Sequence, residues 1–137
     1  MAPRIVTAAL LVIEGRVLVA RRPDRDSLAG LWEFPGGKLE EGESEKTCLA
    51  RELREELELD AEIGAFFMES SYCYSKGEIL LRAYWAVPKS KEVRLHFHTE
   101  VRWVTPSLIT NLVMAPADIP IVEAWVRWCD RSARKCD

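Results

Sequence analysis

Glu52, Glu55 and Glu56 lie three and four residues apart in the most acidic part of the chain, where eight glutamates fall between Gly36 and Leu59. On an α-helix, at about 100° per residue, they share roughly a third of the circumference. Carboxylates at those spacings repel one another and weaken a helix that carries nothing to neutralise them. A divalent cation removes the repulsion. Oxygen-only ligands favour Mg²⁺, with Mn²⁺ as the alternative, and Mg²⁺ commonly joins carboxylates to the phosphates of a substrate. The competing reading is a solvated charged face on which Arg51 and Arg54 form plain surface ion pairs.

The element that must present these side chains runs from Ser44 to about Leu57 without Gly or Pro. Ser44 suits an N-cap, and Leu49, Leu53 and Leu57 repeat every four residues, so the spacing predicts an amphipathic helix with one leucine stripe. Before it, Pro35-Gly36-Gly37 ends the alternating stretch LWEFPGG and predicts a loop into the acidic segment. Further upstream, RIVTAALLVIEGRVLVARRP reads as two strands joined by a turn at Glu14-Gly15. Downstream, AEIGAFFMESSYCYS, EILLRAYWAV and EVRWV read as strands, with a turn at Ser75-Lys76-Gly77. DIPIVEAWVRWCDRSARK closes the chain as a helix, Pro120 lying in its first turn and its basic end suiting the C-terminal dipole. Strands before, between and after two helices predict an α/β or α+β domain with a mixed β-sheet between helices, as one unit over 1–137.

The polar positions extend the helix pattern on both sides. Gly37 is followed after five residues by Glu43, after seven more by Arg51-Glu52-Leu53, then by Glu55-Glu56 and, one residue later, Glu58-Leu59. Six such matches arise by chance at about one in ten million starting points. The pattern resembles the Nudix box, in which a glycine normally stands where this chain has Glu58. The resemblance implies an α/β/α sandwich and hydrolysis, with a divalent metal and water, of nucleoside diphosphates linked to another group. By the same resemblance Glu52, Glu55 and Glu56 are expected to bind the metal, with the Gly37 carbonyl as a further ligand. Arg51 is expected to orient the glutamates, with Glu43 paired to it. The catalytic base is then a box glutamate or a glutamate from a distant loop. In the most similar subgroup that loop position falls near Phe97, where no carboxylate stands, which leaves Glu100 as its candidate. His96 and His98 flank the loop and read as polar surface or packing residues. Glu58 puts the turn after the helix in question.

Two further stretches, ARRPDRDSLAGLWEFPGGK and APADIPIVEAW, are similar to the MutT-like group, the second especially to bacterial CTP pyrophosphohydrolases. Arg22 stands where MutT-like members contact phosphate, and a guanidinium fork suits that ligand. Phe34, and alternatively Trp32, is placed to line a base or sugar pocket. Asp118 occupies the position of a base-reading asparagine. Ionised, it offers acceptors only, which favours the exocyclic amine of cytosine over the O6 of guanine. It also stands where it could cap the last helix. The expected reaction converts a nucleoside triphosphate and water to a monophosphate and pyrophosphate, on CTP, dCTP and modified cytosine nucleotides. The alternatives are an 8-oxo-dGTP diphosphatase and a non-catalytic nucleotide-binding module.

The whole chain narrows the partners. Its 137 residues carry a net charge of −3, which excludes a generic coat for DNA or RNA. The longest apolar run, Ile5 to Ile13, is too short to span a bilayer, and with no export signal visible the cytoplasm is the expected compartment. Cys48, Cys73, Cys129 and Cys136 show no ligand spacing and are expected to be reduced thiols without zinc. A monomer and a homodimer are both compatible with the sequence.

Overall fold

A computed structural model describes residues 2–24 and 27–135, with backbone alone for 134 and 135. Strand β1 (Arg4–Ile13) turns into β2 (Arg16–Arg21) through Glu14 and Gly15, whose φ angles of 53° and 77° make the left-handed pair of a tight hairpin. Only Val12 with Val17 and Ile13 with Arg16 then pair, and the strands part. β1 runs parallel to β5 (Gly77–Pro88), which pairs antiparallel with β4 (Ala61–Tyr74). β2 pairs along its length with β6 (Glu100–Val104) and, near its end, with the two-residue β3 (Trp32–Glu33). Residues 35–39 enter the gap and bind the free edge of β1. The amides of Thr7 and Ala9 donate to the carbonyls of Gly37 and Pro35, both at 2.8 Å, and Leu39 N donates to Ile5 O at 3.0 Å.

Alternation along the strands divides the core in two. Ala8, Leu10, Val17 and Val19 face helix α3 (Ile119–Lys135), meeting Ile121, Val122 and Trp125. Ala9, Leu11 and Leu18 face helix α1 (Glu45–Leu57), meeting Leu49, Leu53 and Leu57. The result is the expected α/β arrangement, a mixed sheet between helices. Each of the three leucines is at most 1% exposed, and burying one contributes about 2 kcal/mol. The stripe therefore fixes the rotation of α1 and turns its acidic face away from the core. Ser44 Oγ accepts the Thr47 amide at 3.1 Å at the start of α1, as its spacing predicts. At the far end Glu58 adopts the left-handed conformation, φ 50°, that a glycine would take without strain, and its N–H donates to Arg54 O at 3.1 Å.

Two boundaries differ from the sequence reading. The last helix, α3 (Ile119–Lys135), starts one residue after Asp118, because Pro116–Asp118 form a 3₁₀ turn of their own. A four-residue helix, α2 (Pro106–Ile109), capped by Thr105, is too short to leave a periodic signal. Among the described residues no helix is long and apolar enough to cross a membrane. The thiols of Cys48, Cys73 and Cys129 are free, and Cys136 lies outside the described residues.

Candidate active site

Arg51 organises the outer part of the acidic face. Its guanidinium donates to both oxygens of Glu43, at 2.7 and 3.0 Å, and through Nη1 to Glu52 at 2.9 Å and Glu55 at 3.1 Å. The Arg51 hydrogen bonds hold the Glu43 carboxyl down at about 2, and Arg51 itself is raised further above its ordinary value by Glu43. Glu55 stays exposed, whereas Glu52 and Glu56 turn inward.

Glu52 lies directly against Gly37. A Cβ at that glycine would stand 2.2 Å from Glu52 Cδ, so only glycine lets the carboxylate reach this position. The Gly37 carbonyl, expected from the sequence as a metal ligand, is engaged by β1. Its oxygen faces β1, where it accepts Thr7 N at 2.8 Å and Thr7 Oγ1 at 3.0 Å, which uses both lone pairs. Carbonyls alternate along an extended segment, so the neighbouring Gly36 carbonyl points away from β1.

Glu56 is largely withdrawn from water. Burial, a hydrogen bond with Glu52 and the charge of Glu33 together push its carboxyl up to about 9, against the opposing pull of Arg22. Its Oε2 is buried without a partner. Two inward carboxylates, one with an unsatisfied oxygen, are a donor set that suits a hard divalent cation. Among the described residues no three acidic, histidine or cysteine side chains stand together as a ready-made cage, since Arg51 draws Glu55 outward.

A cavity of about 520 Å³ opens beside this pair, reaching from Glu52 and Glu56 to Phe34 and Asp118, with Arg22 on its wall. Arg22 Nη1 donates to Glu33 Oε1 at 2.8 Å, and its guanidinium lies 5.2 Å from the centre of the Phe97 ring. Asp118 is 5% exposed, and its Oδ2 accepts the Phe34 amide at 2.9 Å. Burial, then the charge of Glu33, raises the Asp118 carboxyl well above the ordinary aspartate range, outweighing the Phe34 amide and Arg22. Burial thus works against the freely ionised acceptor expected from the sequence. Trp32 belongs to the core beneath α3, with Arg102 over its ring at 4.9 Å.

Glu100 is not brought to the site. It pairs across the sheet with Arg21, and its carboxylate accepts Arg102 Nε at 2.7 Å. Alternation places it on the side of Val104 and the α3 core, opposite α1.

Two residues that the sequence reading did not place in the site, Glu33 and His98, the latter read there as surface or packing, complete the cluster. Glu33 lines the cavity between Arg22 and His98, and His98, with a side chain 0% exposed, places Nε2 2.8 Å from Glu33 Oε2 and Nδ1 3.6 Å from Glu56 Oε2. The alternation Trp32-Glu33-Phe34 carried a usable signal, because a glutamate between two buried rings must face the other side of the strand. Nothing in the local spacing of His98 marks it.

Known proteins share both the sequence and the shape. The family model described as NUDIX domain matches residues 7–124. The chain is 39% identical over 133 residues to the CTP pyrophosphohydrolase of Escherichia coli, with 96% of each covered. It is also 39% identical over 119 residues to the putative 8-oxo-dGTP diphosphatase 2 of Mycobacterium tuberculosis, covering 86% of this chain and 84% of that one. The solution structure of the E. coli ORF135 protein superposes with a TM-score of 0.83 at 37% identity, over 100% of this chain and 96% of the other. The crystal structure of MutT protein from Methanosarcina mazei gives 0.81 at 26%, over 96% of each. With the family model matching most of its length and its fold shared with these structures, the chain belongs to the Nudix family, among the MutT-like hydrolases that act on phosphoric anhydride bonds of nucleotides.

Proposed function

We propose that the protein is a Mg²⁺-dependent nucleoside triphosphate pyrophosphohydrolase acting on CTP, dCTP and modified cytosine nucleotides. The observation that carries this reading is the single cavity that joins the Glu52–Glu56 pair to Arg22 and to the Phe34–Asp118 end. Nudix hydrolases use a divalent metal, and Glu52 and Glu56, with Glu55 beside them, are the residues to hold it here. When bound, such an ion draws phosphate oxygens together and lowers the pKa of water. Arg22, kept in place by Glu33, is oriented to hold the phosphate chain, and Phe34 and Asp118 line the end of the cavity proposed for the base. One inward glutamate takes the proton of the attacking water, whose oxygen bonds to phosphorus as the anhydride P–O bond breaks and pyrophosphate leaves. Phe97 carries no carboxylate and Glu100 lies across the sheet, which supports a box glutamate as that base.

The base preference rests on the likeness to the E. coli CTP pyrophosphohydrolase. A second reading, hydrolysis of 8-oxo-dGTP, is favoured by one observation, the burial of Asp118: burial raises its carboxyl above the ordinary range, and a protonated carboxyl offers a purine edge a donor as well as an acceptor. Pyrophosphate release with Mg²⁺ from CTP, dCTP, 5-hydroxy-dCTP, dGTP, 8-oxo-dGTP, ADP-ribose and a nucleotide sugar, ranked by kcat/KM, tests both. The highest value is expected on a cytosine triphosphate. A maximum on 8-oxo-dGTP keeps the chemistry and overturns the base assignment, and no release from any triphosphate overturns the proposal.

A further inference from the structure

We infer that His98 is a positioning residue that couples the metal-facing carboxylate Glu56 to Glu33, the carboxylate that holds Arg22. Four side chains form a continuous path across the cavity wall, in the order Arg22, Glu33, His98, Glu56. Arg22 donates to Glu33 Oε1 at 2.8 Å, Glu33 Oε2 meets His98 Nε2 at 2.8 Å, and His98 Nδ1 faces Glu56 Oε2 at 3.6 Å. The imidazole is fully enclosed, with the edge of the Phe97 ring against it at a centroid distance of 5.0 Å.

The backbone carries the same coupling. Ahead of His98, Arg94 N donates to Leu57 O at 2.9 Å and His96 N to Glu56 O at 3.0 Å, which fastens the segment to the end of α1. Just after it, Thr99 N donates to Arg21 O at 3.0 Å, fastening the segment to the end of β2. His98 thus stands where the element bearing the box glutamates meets the strand that leads into Arg22.

A simple packing role does not account for the ring. Nδ1 of His98 and Oε2 of Glu56 are both buried without a partner, although they face each other. Burying polar atoms unsatisfied costs free energy, and the bond to Glu33 alone can be made by a side chain with no second nitrogen to bury. An imidazole spans the two carboxylates, with Nε2 bonded to Glu33 and Nδ1 directed at Glu56.

This inference rests on the proposed hydrolase reading, and its test separates the two. Asparagine places its amide near the position of Nδ1 and can serve Glu56, whereas glutamine reaches the position of Nε2 and can serve Glu33. His98→Asn, His98→Gln and His98→Ala are compared by kcat and KM for CTP with Mg²⁺, by calorimetric Mg²⁺ affinity without nucleotide, and by Tm. His98→Gln is expected to keep KM while kcat and Mg²⁺ affinity fall about tenfold, and His98→Asn to keep Mg²⁺ affinity while KM rises about tenfold. His98→Ala combines both losses, and if it does not fold the contrast between the other two decides. Equal losses in Asn and Gln, tracking Tm alone, or wild-type values in both, overturn the inference. If the wild type turns over no triphosphate, the hydrolase reading fails by itself, and Mg²⁺ affinity lowered in His98→Gln but kept in His98→Asn still supports the positioning of Glu56.

Discussion

Glu55 and Glu56 are neighbours in the chain and live in different media. Glu55 is exposed and tied to Arg51, while Glu56 is drawn under the cavity floor beside Glu52. Replacing Glu56 or Glu52 with Gln should lower Mg²⁺-dependent kcat/KM by about a hundredfold or more, the scale on which positioned acid–base groups act. Glu55→Gln should cost distinctly less, and circular dichroism should show all three folded. Equal losses at the three positions would mean that Glu55 swings inward to an equal share in the chemistry. Gly37→Ala tests the floor from the other side. Its methyl would meet Glu52 Cδ at 2.2 Å and Oε2 at 2.4 Å, so the carboxylate must move, and activity should fall at least as far as in Glu52→Gln. Wild-type activity in Gly37→Ala would show that the close approach is not required. At this scale the glutamates were legible because their spacing is fixed by helix geometry. The direction of the Gly37 carbonyl was not legible, because it depends on which strand edge the carbonyl pairs with, and a one-letter pattern does not contain that.

The elements were legible in proportion to their length and regularity. α1 showed itself through an unbroken leucine stripe and a Ser44 cap, both of which the structure keeps. The hairpin at Glu14-Gly15 was legible too, but the parting of β1 from β2 was not, because residues 35–39 compete for the edge of β1, with Gly37 standing 30 positions beyond its partner Thr7. That parting opens the cavity, so the most functional feature of the sheet was the least local one. The end of α1 gives the test for this scale. Glu58 stands at φ 50° where a glycine is usual in the family, and its carboxylate meets His96 Nε2 with both side chains about half exposed, 48% and 52%. An exposed pair of that kind contributes about 0–1 kcal/mol, whereas a left-handed residue with a Cβ costs about 1–2 kcal/mol. Strain should therefore outweigh the pair. Glu58→Gly is expected to be more stable than Glu58→Ala by about 1 kcal/mol in urea unfolding, and at least as stable as the wild type. A Gly variant weaker than the Ala variant would show that the turn is not strained.

Asp118 acts on the molecule as a whole, since its carboxyl joins the segment leading into α3 to Phe34, 84 residues away in sequence. The backbone reinforces the same seam, with Trp32 N donating to Val113 O at 3.0 Å and Ala115 N to Trp32 O at 2.8 Å. The type of residue at 118 was legible, but its burial was not, because the residues that enclose it come from distant segments. Burial raises its carboxyl above the ordinary range, despite Arg22 and the Phe34 amide, so between the unfolded and folded values the native chain holds a proton that the unfolded chain has lost. Stability in that window falls as pH rises, starting above about pH 4. Asp118→Asn keeps an oxygen for the Phe34 amide and carries no titrating group, so its Tm should pull ahead of the wild type as pH increases from 4 to 9, with the gap smallest at the acid end. A gap independent of pH would show that Asp118 ionises normally in the fold. The same variant bears on the substrate. A protonated carboxyl and an amide both offer one donor edge and one acceptor edge, so a neutral Asp118 predicts an unchanged ranking of nucleotides in Asp118→Asn. A shift toward guanine nucleotides, together with a constant Tm gap, would restore the charged, cytosine-reading aspartate.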